Sequence, residues 1–189
     1  MAEKTSQKII KKKKKWLTLI APKEFNNLVL GETPAFEPET VVGRTVIVNL
    51  MTLTRDPKKQ SYNLTFKVNQ VINHEAHTIS MKYELPTVHI KRLIKKAKEK
   101  MDDAFMVETK DNVKAMIKPL FVTKAMTQNS KLTLLRKKAR EALTALAKEK
   151  TFAELIVMAV STELQRNLRS ELKKVYPLSV CEIRMLQRL

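Results

Sequence analysis

The sequence predicts an α+β protein: an antiparallel β-sheet or partial barrel in the N-terminal two thirds with one inserted helix, then three helices and a closing strand. Three observations support this class. Apolar and polar residues alternate over 62–72 and 79–85, which is the pattern of half-buried strands. Apolar residues recur at helical spacing over 131–150 and 162–176. Alternation then returns near the C-terminus, over 181–185.

The first elements are short. Residues 16–20 alternate weakly and predict a strand that Ala21-Pro22 closes. Residues 31–40 contain two prolines and three glutamates and are predicted to form a loop, because proline cannot donate to a strand ladder. Residues 44–54 are rich in Val, Ile, Thr and Leu and predict a strand. Both of its faces carry apolar residues, which favours a central position in the sheet.

The clearest pattern is a predicted hairpin of strands 62–72 and 79–85. After it, Pro86-Thr87 opens a helix that extends to about residue 100 with its lysines outward. Its predicted inward residues are Ile90, Leu93, Ile94 and Ala97. Two further strands are predicted over 104–109 and 113–124.

The C-terminal third is predicted to be mostly helical. One helix covers 131–150, and Thr151 with Glu154 forms a capping box that starts the next. A third helix covers 162–176 and ends before Pro177. A closing strand follows, and Cys181, Ile183 and Met185 form its predicted apolar face. We expect a basic N-terminal arm over residues 1–15 and a single α+β domain over 16–189, β-rich over 16–125 and mostly helical over 126–189.

The charge balance points to a polyanionic partner. The 189 residues include 37 Lys and Arg against 19 Asp and Glu, a net charge of +18. The excess lies in three clusters, with net charges of +6 over 1–15, +5 over 86–100 and +5 over 131–140. The positive charges within each cluster repel one another unless phosphates neutralise them. The predicted RNA-binding residues are Lys11, Lys12, Lys13, Lys14, Lys15, Trp16, Lys91, Arg92, Lys95, Lys96, Lys131, Arg136, Lys137, Lys138 and Arg140.

The kind of contact follows from the side chains. We expect Trp16 to anchor the arm to the folded part of the chain. Other aromatic residues are few and those in strands fall on core faces, so a stacking platform for bases is poorly supported. The sequence therefore predicts phosphate contacts and shape recognition of folded RNA.

No catalytic constellation, cofactor site or metal site is predicted. The chain has only two glycines, which excludes a glycine-rich phosphate loop. His74 and His77 lie in a predicted polar turn without the spacing of a zinc site, and surface histidines are the favoured interpretation. The single cysteine, Cys181, is interpreted as a buried apolar residue rather than a nucleophile. We therefore predict that the protein is not an enzyme.

An ordered set of motifs resembles a known family. The resemblance spans about residues 13–189 and rests on Lys-Lys-Trp16, Ala21-Pro22, Phe25, Gly31-x-Thr33-Pro34, Glu37-Pro38-Glu39, Gly43-Arg44, the strand over 62–72, Ile90-Lys-Arg-Leu-Ile-Lys-Lys, Lys118-Pro119-Leu-Phe-Val-Thr123, Leu-Arg136-Lys-Lys-Ala, Lys173-Lys-Val-Tyr176-Pro177-Leu and Val180-x-Glu182-Ile183-Arg184. These residues look like the archaeal and eukaryotic small-subunit ribosomal protein family of the S-three-A-e type, also called S-one-e.

The resemblance implies a structural component of the small (30S/40S) ribosomal subunit that supports translation in the cytoplasm. It implies a position on the platform near the mRNA exit. The partners implied are ribosomal RNA near its 3′ end and neighbouring ribosomal proteins, with mRNA near the exit as a candidate and no membrane.

Two other function classes stay open on the sequence. A polybasic module that binds a membrane surface or an acidic partner is consistent with the lysine run alone. However, no lipidation signal accompanies the run, and the other two clusters lie on predicted helices. An RNA-modifying enzyme is the third class, and the absence of nucleotide loops and catalytic clusters from the sequence argues against it.

Overall fold

A computed structural model describes residues 13–189. Within that part of the chain, nine strands form one sheet and five α-helices accompany it, so the α+β prediction is confirmed. The strands are β1 (Lys15–Ile20), β2 (Val29–Ala35), β3 (Thr45–Asn49), β4 (Asn63–Ile72), β5 (Glu75–Glu84), β6 (Lys100–Asp102), β7 (Phe105–Glu108), β8 (Lys114–Thr123) and β9 (Leu178–Arg188). The helices are α1 (Leu50–Thr54), α2 (Thr87–Leu93), α3 (Asn129–Glu149), α4 (Phe152–Val160) and α5 (Glu163–Lys173).

The sheet branches at β5. Along one side, β5 pairs with β4 in an antiparallel hairpin, and β3 pairs with the far side of β4. Along its other side, the first residues of β5 pair in parallel with β1, and its last residues pair antiparallel with β9. β2 extends the sheet beyond β1. β9 pairs along most of its length with β8, which carries β6 and β7 on its far side.

Three helices cover one face of this sheet. α3, α4 and α5 bury their apolar stripes against side chains of β8 and β9 such as Ile117, Phe121, Ile183 and Leu186. The short helix α2 packs on the opposite face, because Leu120 alternates with Phe121 along β8 and contacts Ile90. A third cluster lies around β1, where Leu17 and Leu19 are buried with Ala35, Val41, Val68 and Ala76.

Several predicted elements are confirmed. The hairpin of β4 and β5, the strand β8, the helices α3 and α5 and the closing strand β9 all form where the periodicity places them. The capping box forms as well. The Thr151 hydroxyl accepts from the backbone N–H of Glu154 at 3.3 Å, and the Glu154 carboxylate accepts from the N–H of Thr151 at 3.0 Å.

The predicted loop over 31–40 is wrong in its first half, since β2 extends to Ala35. Within the described chain β2 pairs only with β1, so it is an edge strand, where a residue without an N–H such as Pro34 is tolerated. The predicted strand over 44–54 is also wrong after Asn49. The Asn49 side chain accepts from the N–H of Met51 at 2.9 Å and so caps α1. β3 is an edge strand rather than a central one, and Ile47 is 69% exposed.

The helix predicted to reach residue 100 ends at Leu93. Ala97 adopts a left-handed conformation (φ 59°), which a helix cannot contain. The chain then re-enters the sheet as β6, a strand that the pattern did not predict. Lys95 and Lys96 therefore lie on an exposed turn and not on a helical face.

Bulges in β5 and β9 change which side chains of these strands are buried. An extra residue near Arg184 shifts the alternation of β9, so Leu186 is buried in place of Met185. Irregular pairing between β4 and β5 similarly buries Ala76 and Thr78 and leaves Ile79 and Met81 half-buried. Among residues 13–189, no helix is both long and apolar enough to cross a membrane.

The capping box gives a first testable prediction. Thr151→Ala should lower the free energy of unfolding by about 1 kcal/mol, because the backbone N–H of Glu154 in the first turn of α4 loses its side-chain acceptor. Urea denaturation measures this difference. Ser130→Ala is the matched control, since Ser130 is exposed in α3 and caps no helix, and it should change stability by less than about 0.5 kcal/mol. Equal effects of the two substitutions would contradict the assigned role of Thr151.

Candidate RNA-binding surface

The exposed side of α3 carries the densest group of unpaired basic side chains. α3 buries Leu135, Ala139, Leu143 and Ala147, which fixes its opposite side toward solvent. We define the α3 ridge as the exposed residues Arg136, Lys137, Lys138 and Lys148. None of these four forms an ion pair with another residue of the described chain. Their charges therefore remain available to an external anion.

Arg140 lies on the same helix but is already paired. Its Nη2 donates to both carboxylate oxygens of Asp103, at 2.9 and 2.8 Å. Its guanidinium also lies over the Phe105 ring, 5.3 Å from the centroid. These contacts hold α3 against the turn between β6 and β7. Arg140 thus has a structural role that reduces its attraction for phosphate, in addition to the RNA contact that the sequence predicts.

Lys131 joins α3 to the end of α5. Its Nζ lies 5.7 Å from the centroid of the Tyr176 ring. The Tyr176 hydroxyl can donate to the carbonyl oxygens of Ala125 and Met126, at 3.4 and 3.3 Å. The Lys131 ammonium has no carboxylate partner among the described residues, so it extends the positive surface of α3 toward α5.

The N-terminal cluster is described in part. Lys11 and Lys12 lie outside the described residues, whereas Lys13, Lys14 and Lys15 are exposed. Lys15 is the first residue of β1. The expectation that Trp16 anchors the arm in the fold is wrong, because its side chain faces outward from β1 and is 65% exposed.

The second predicted cluster is divided by the early end of α2. Lys91 and Arg92 are exposed on its last turn, and Lys95 and Lys96 are exposed on the segment that follows. This segment is attached to the sheet, since the N–H of Glu99 donates to the Thr123 hydroxyl at 2.9 Å. The Lys98 ammonium donates to the Ser179 hydroxyl at 2.9 Å. The segment is therefore fixed against the start of β9.

A further basic site lies beside that segment, and sequence reasoning missed it. We define the α5 cleft as a cavity of about 370 Å³ lined by Arg166, Arg169, Ser170, Lys173, Pro177 and Leu178. Arg169 Nη2 donates to the carbonyl oxygens of Leu178 and Ser179, at 3.2 and 3.4 Å. These neutral acceptors orient the guanidinium without cancelling its charge. Arg169 and Lys98 therefore meet at Ser179.

A sequence signal for this cleft exists. Its three basic residues on α5 are spaced by three and four positions, opposite the buried Leu164, Leu168 and Leu172. They are Arg166, Arg169 and Lys173. The apolar stripe of α5 is the stronger pattern, and it hides the smaller basic stripe on the other side.

The chain is similar to proteins of one known family. The family model described as the ribosomal S3Ae family matches residues 3–189. The chain belongs to the ribosomal S3Ae family. The small ribosomal subunit protein eS1 of Sulfurisphaera tokodaii is 34% identical to it over 183 residues, which cover 97% of this chain and 95% of that protein. The resemblance found in the motifs is confirmed.

Two further relatives carry the same name. The small ribosomal subunit protein eS1 of Haloarcula marismortui is 33% identical over 171 residues, covering 90% of this chain and 80% of the relative. That of Methanothermobacter thermautotrophicus is 32% identical over 172 residues, covering 91% and 88%. The family match over residues 3–189 therefore includes α3, α5 and the strands β1 and β2.

The buried titratable groups of this S3Ae chain are structural. Burial raises the pKa of Cys181 to about 12, and its Sγ lies 3.4 Å from the carbonyl oxygen of Gln165. The thiol therefore stays protonated at neutral pH, and the prediction that Cys181 is a buried apolar residue is confirmed. The Tyr62 hydroxyl donates to Glu182 at 3.2 Å, and burial raises the pKa of both groups.

The two histidines that were considered as metal ligands belong to the hairpin of β4 and β5. His74 is in the left-handed turn between β4 and β5, and His77 is in β5. Across residues 13–189, no cluster of three or more His, Cys, Asp or Glu side chains could hold a metal ion.

The role assigned to Arg140 can be tested by a double-mutant cycle with Asp103. Arg140→Ala and Asp103→Ala should each destabilise the fold, and the coupling energy should be about 1 kcal/mol or less but above zero, because the pair is partly exposed. Chemical denaturation of the four proteins measures it. Arg136→Ala serves as the control and should leave stability unchanged. A coupling energy of zero would leave Arg140 as a side chain free for RNA.

Proposed function

We propose that this protein is a structural component of the small ribosomal subunit that binds ribosomal RNA through lysine and arginine contacts to phosphates. The observation that carries the proposal is the α3 ridge, whose exposed basic side chains have no ion-pair partner among the described residues, on a helix that the core holds in place. Membership of the ribosomal S3Ae family and the names of its relatives support it. The function is one of assembly and support of translation in the cytoplasm, not of catalysis.

The finer position follows from the family resemblance. We place the protein on the platform of the subunit near the mRNA exit, in contact with ribosomal RNA near its 3′ end and with neighbouring ribosomal proteins. mRNA near the exit is a further candidate partner. Residues 1–15 act as a basic arm and residues 16–189 as one α+β domain.

The mechanism is electrostatic. Each lysine or arginine that meets a phosphate releases condensed counterions, and this release supplies much of the affinity. The α3 ridge lies on a helix that the core holds in place, so little backbone freedom is lost on binding. The α5 cleft adds a guanidinium that its carbonyl acceptors already hold in place. Contacts of this kind select RNA by shape and not by base sequence.

Sedimentation tests the proposed location. In cell lysate fractionated on a sucrose gradient at moderate salt, the tagged protein should sediment with small ribosomal subunits. Ribonuclease treatment should release it from that fraction. A protein that stays free after gentle lysis would contradict the proposal. Flotation with anionic vesicles that persists after ribonuclease treatment would instead support the polybasic membrane-surface module.

The salt dependence of binding tests the phosphate contacts. Replacing Arg136, Lys137 and Lys138 by Ala should reduce the slope of log K against log salt by about 2 to 3, because each phosphate that a cation neutralises accounts for roughly 0.7–0.9 of that slope. Filter binding of the small-subunit ribosomal RNA over a range of salt concentrations measures the slope. The control variant replaces Lys23, Lys67 and Lys110, which are exposed lysines outside the three clusters. If both variants change the slope equally, the α3 ridge is not a specific contact.

A further inference from the structure

We infer that Trp16 and Phe36 form a stacking platform for unpaired bases of an RNA strand, beside which Lys14 holds a phosphate. This inference rests on the proposed RNA-binding function and adds a second kind of contact to it. The sequence does not predict this platform, because the two aromatic residues are 20 positions apart.

The pairing of β1 with β2 brings the two rings to one face. Trp16 lies opposite Pro34, and Lys15 lies opposite Ala35. Successive side chains of a strand alternate between faces, so Trp16 and Pro34 share the face opposite to that of the buried Leu17 and Ala35. Phe36 directly follows the last residue of β2, and its ring lies under the ammonium of Lys14, two residues before Trp16.

Both rings are accessible. Trp16 is 65% exposed and Phe36 is 51% exposed, although both are large apolar side chains. Exposure of these rings does not stabilise the fold. A single exposed aromatic residue is common in proteins, but two near one strand pair provide a larger apolar surface. Neither ring stacks on another aromatic side chain of the described residues, and the Lys14 ammonium lies over one face of the Phe36 ring.

The adjacent charges identify the ligand. Lys14 Nζ lies 5.3 Å from the centroid of the Phe36 ring, whereas Lys15 is exposed on the opposite face of β1, which it shares with Leu17. Alternation of lysine with exposed aromatic rings is typical of sites for single-stranded nucleic acid, where bases stack and phosphates meet cations. Glu37 and Glu39 lie beyond Phe36, so the phosphates must follow the lysine side of the platform.

A protein partner fits this surface less well. Interface cores are depleted in lysine because burial removes water from the ammonium. Lys14 lies directly on the Phe36 ring, and a protein that covered the two aromatic residues would also bury that charge. An RNA strand covers the rings with bases and supplies a phosphate to the ammonium in the same contact. The observations therefore favour RNA.

Trp16 is the only tryptophan of the chain, so its fluorescence reports on this platform alone. Titration of the full-length protein with a short unstructured RNA of about 12 nucleotides should quench that fluorescence. A fully paired RNA duplex of the same length should bind through the basic surfaces with little quenching, because its bases are not free to stack. Quenching by the single strand supports the platform. Binding of the single strand without any change in fluorescence overturns it.

Substitutions separate stacking from charge. Trp16→Ala and Phe36→Ala should each weaken binding of the single-stranded RNA about tenfold, and Trp16→Phe should retain most of the affinity. Neither alanine variant should change the salt slope, because stacking releases no counterions, whereas Lys14→Ala should reduce it. Met106→Ala is the matched control, since Met106 is 68% exposed on β7. Thermal melting should show that all variants remain folded.

The outcomes distinguish this inference from the function on which it rests. If Trp16→Ala and Phe36→Ala bind the single strand as the unsubstituted protein does, while the α3 substitutions still weaken binding to ribosomal RNA, the platform is overturned and the proposed function stands. If the unsubstituted protein binds neither RNA, both are overturned. A loss of affinity equal to that of Met106→Ala also overturns the platform.

Discussion

The insertion of β9 between β5 and β8 is the constraint on which the rest of the structure depends. β9 pairs with the last residues of β5 on one side and with nearly the whole of β8 on the other. Its inward residues Cys181, Ile183 and Leu186 form the floor on which the helices pack. Its first residues also build the α5 cleft, because the carbonyl oxygens of Leu178 and Ser179 orient Arg169. The C-terminal strand therefore sets both the core and a basic site, and a slip in its register would disrupt both.

Ion pairing divides the basic residues into two groups with different roles. Arg140 is neutralised by Asp103, and Arg184 donates to Asp102 at 2.8 Å, so these guanidinium groups join β6, β9 and α3. The α3 ridge has no such partners within residues 13–189, and its members repel one another in the free protein. The fold tolerates that repulsion because the ridge lies in solvent, where water and salt screen it. Basic side chains that form no ion pair in the fold do not stabilise it. For this reason we assign those of the α3 ridge to the proposed binding of RNA.

Periodicity alone predicted the long elements of the fold. β4, β8 and α3 form where the spacing of apolar residues places them, and the Thr151–Glu154 pair marked the start of α4. The errors lie where a local signal opposes the pattern. Asn49 caps a helix inside a stretch of strand-forming residues, and Pro34 is accommodated at a sheet edge. The bulge near Arg184 moves burial from Met185 to Leu186, and no single-residue preference announces such an insertion.

The candidate site was predictable only where its residues are consecutive. Arg136 to Lys138 stand together in the sequence, but the contact of Arg140 with Asp103 joins residues 37 positions apart. Trp16 and Phe36 are brought to the same end of the β1–β2 pair only by the register of these strands. The two surfaces suit different parts of an RNA fold, since a helical ridge of cations follows paired backbones and exposed rings require unpaired bases. Under the proposed function, the two surfaces together match an RNA region in which a double helix opens into a single strand, because the rings near the β1–β2 pair offer stacking, a contact that charge cannot provide.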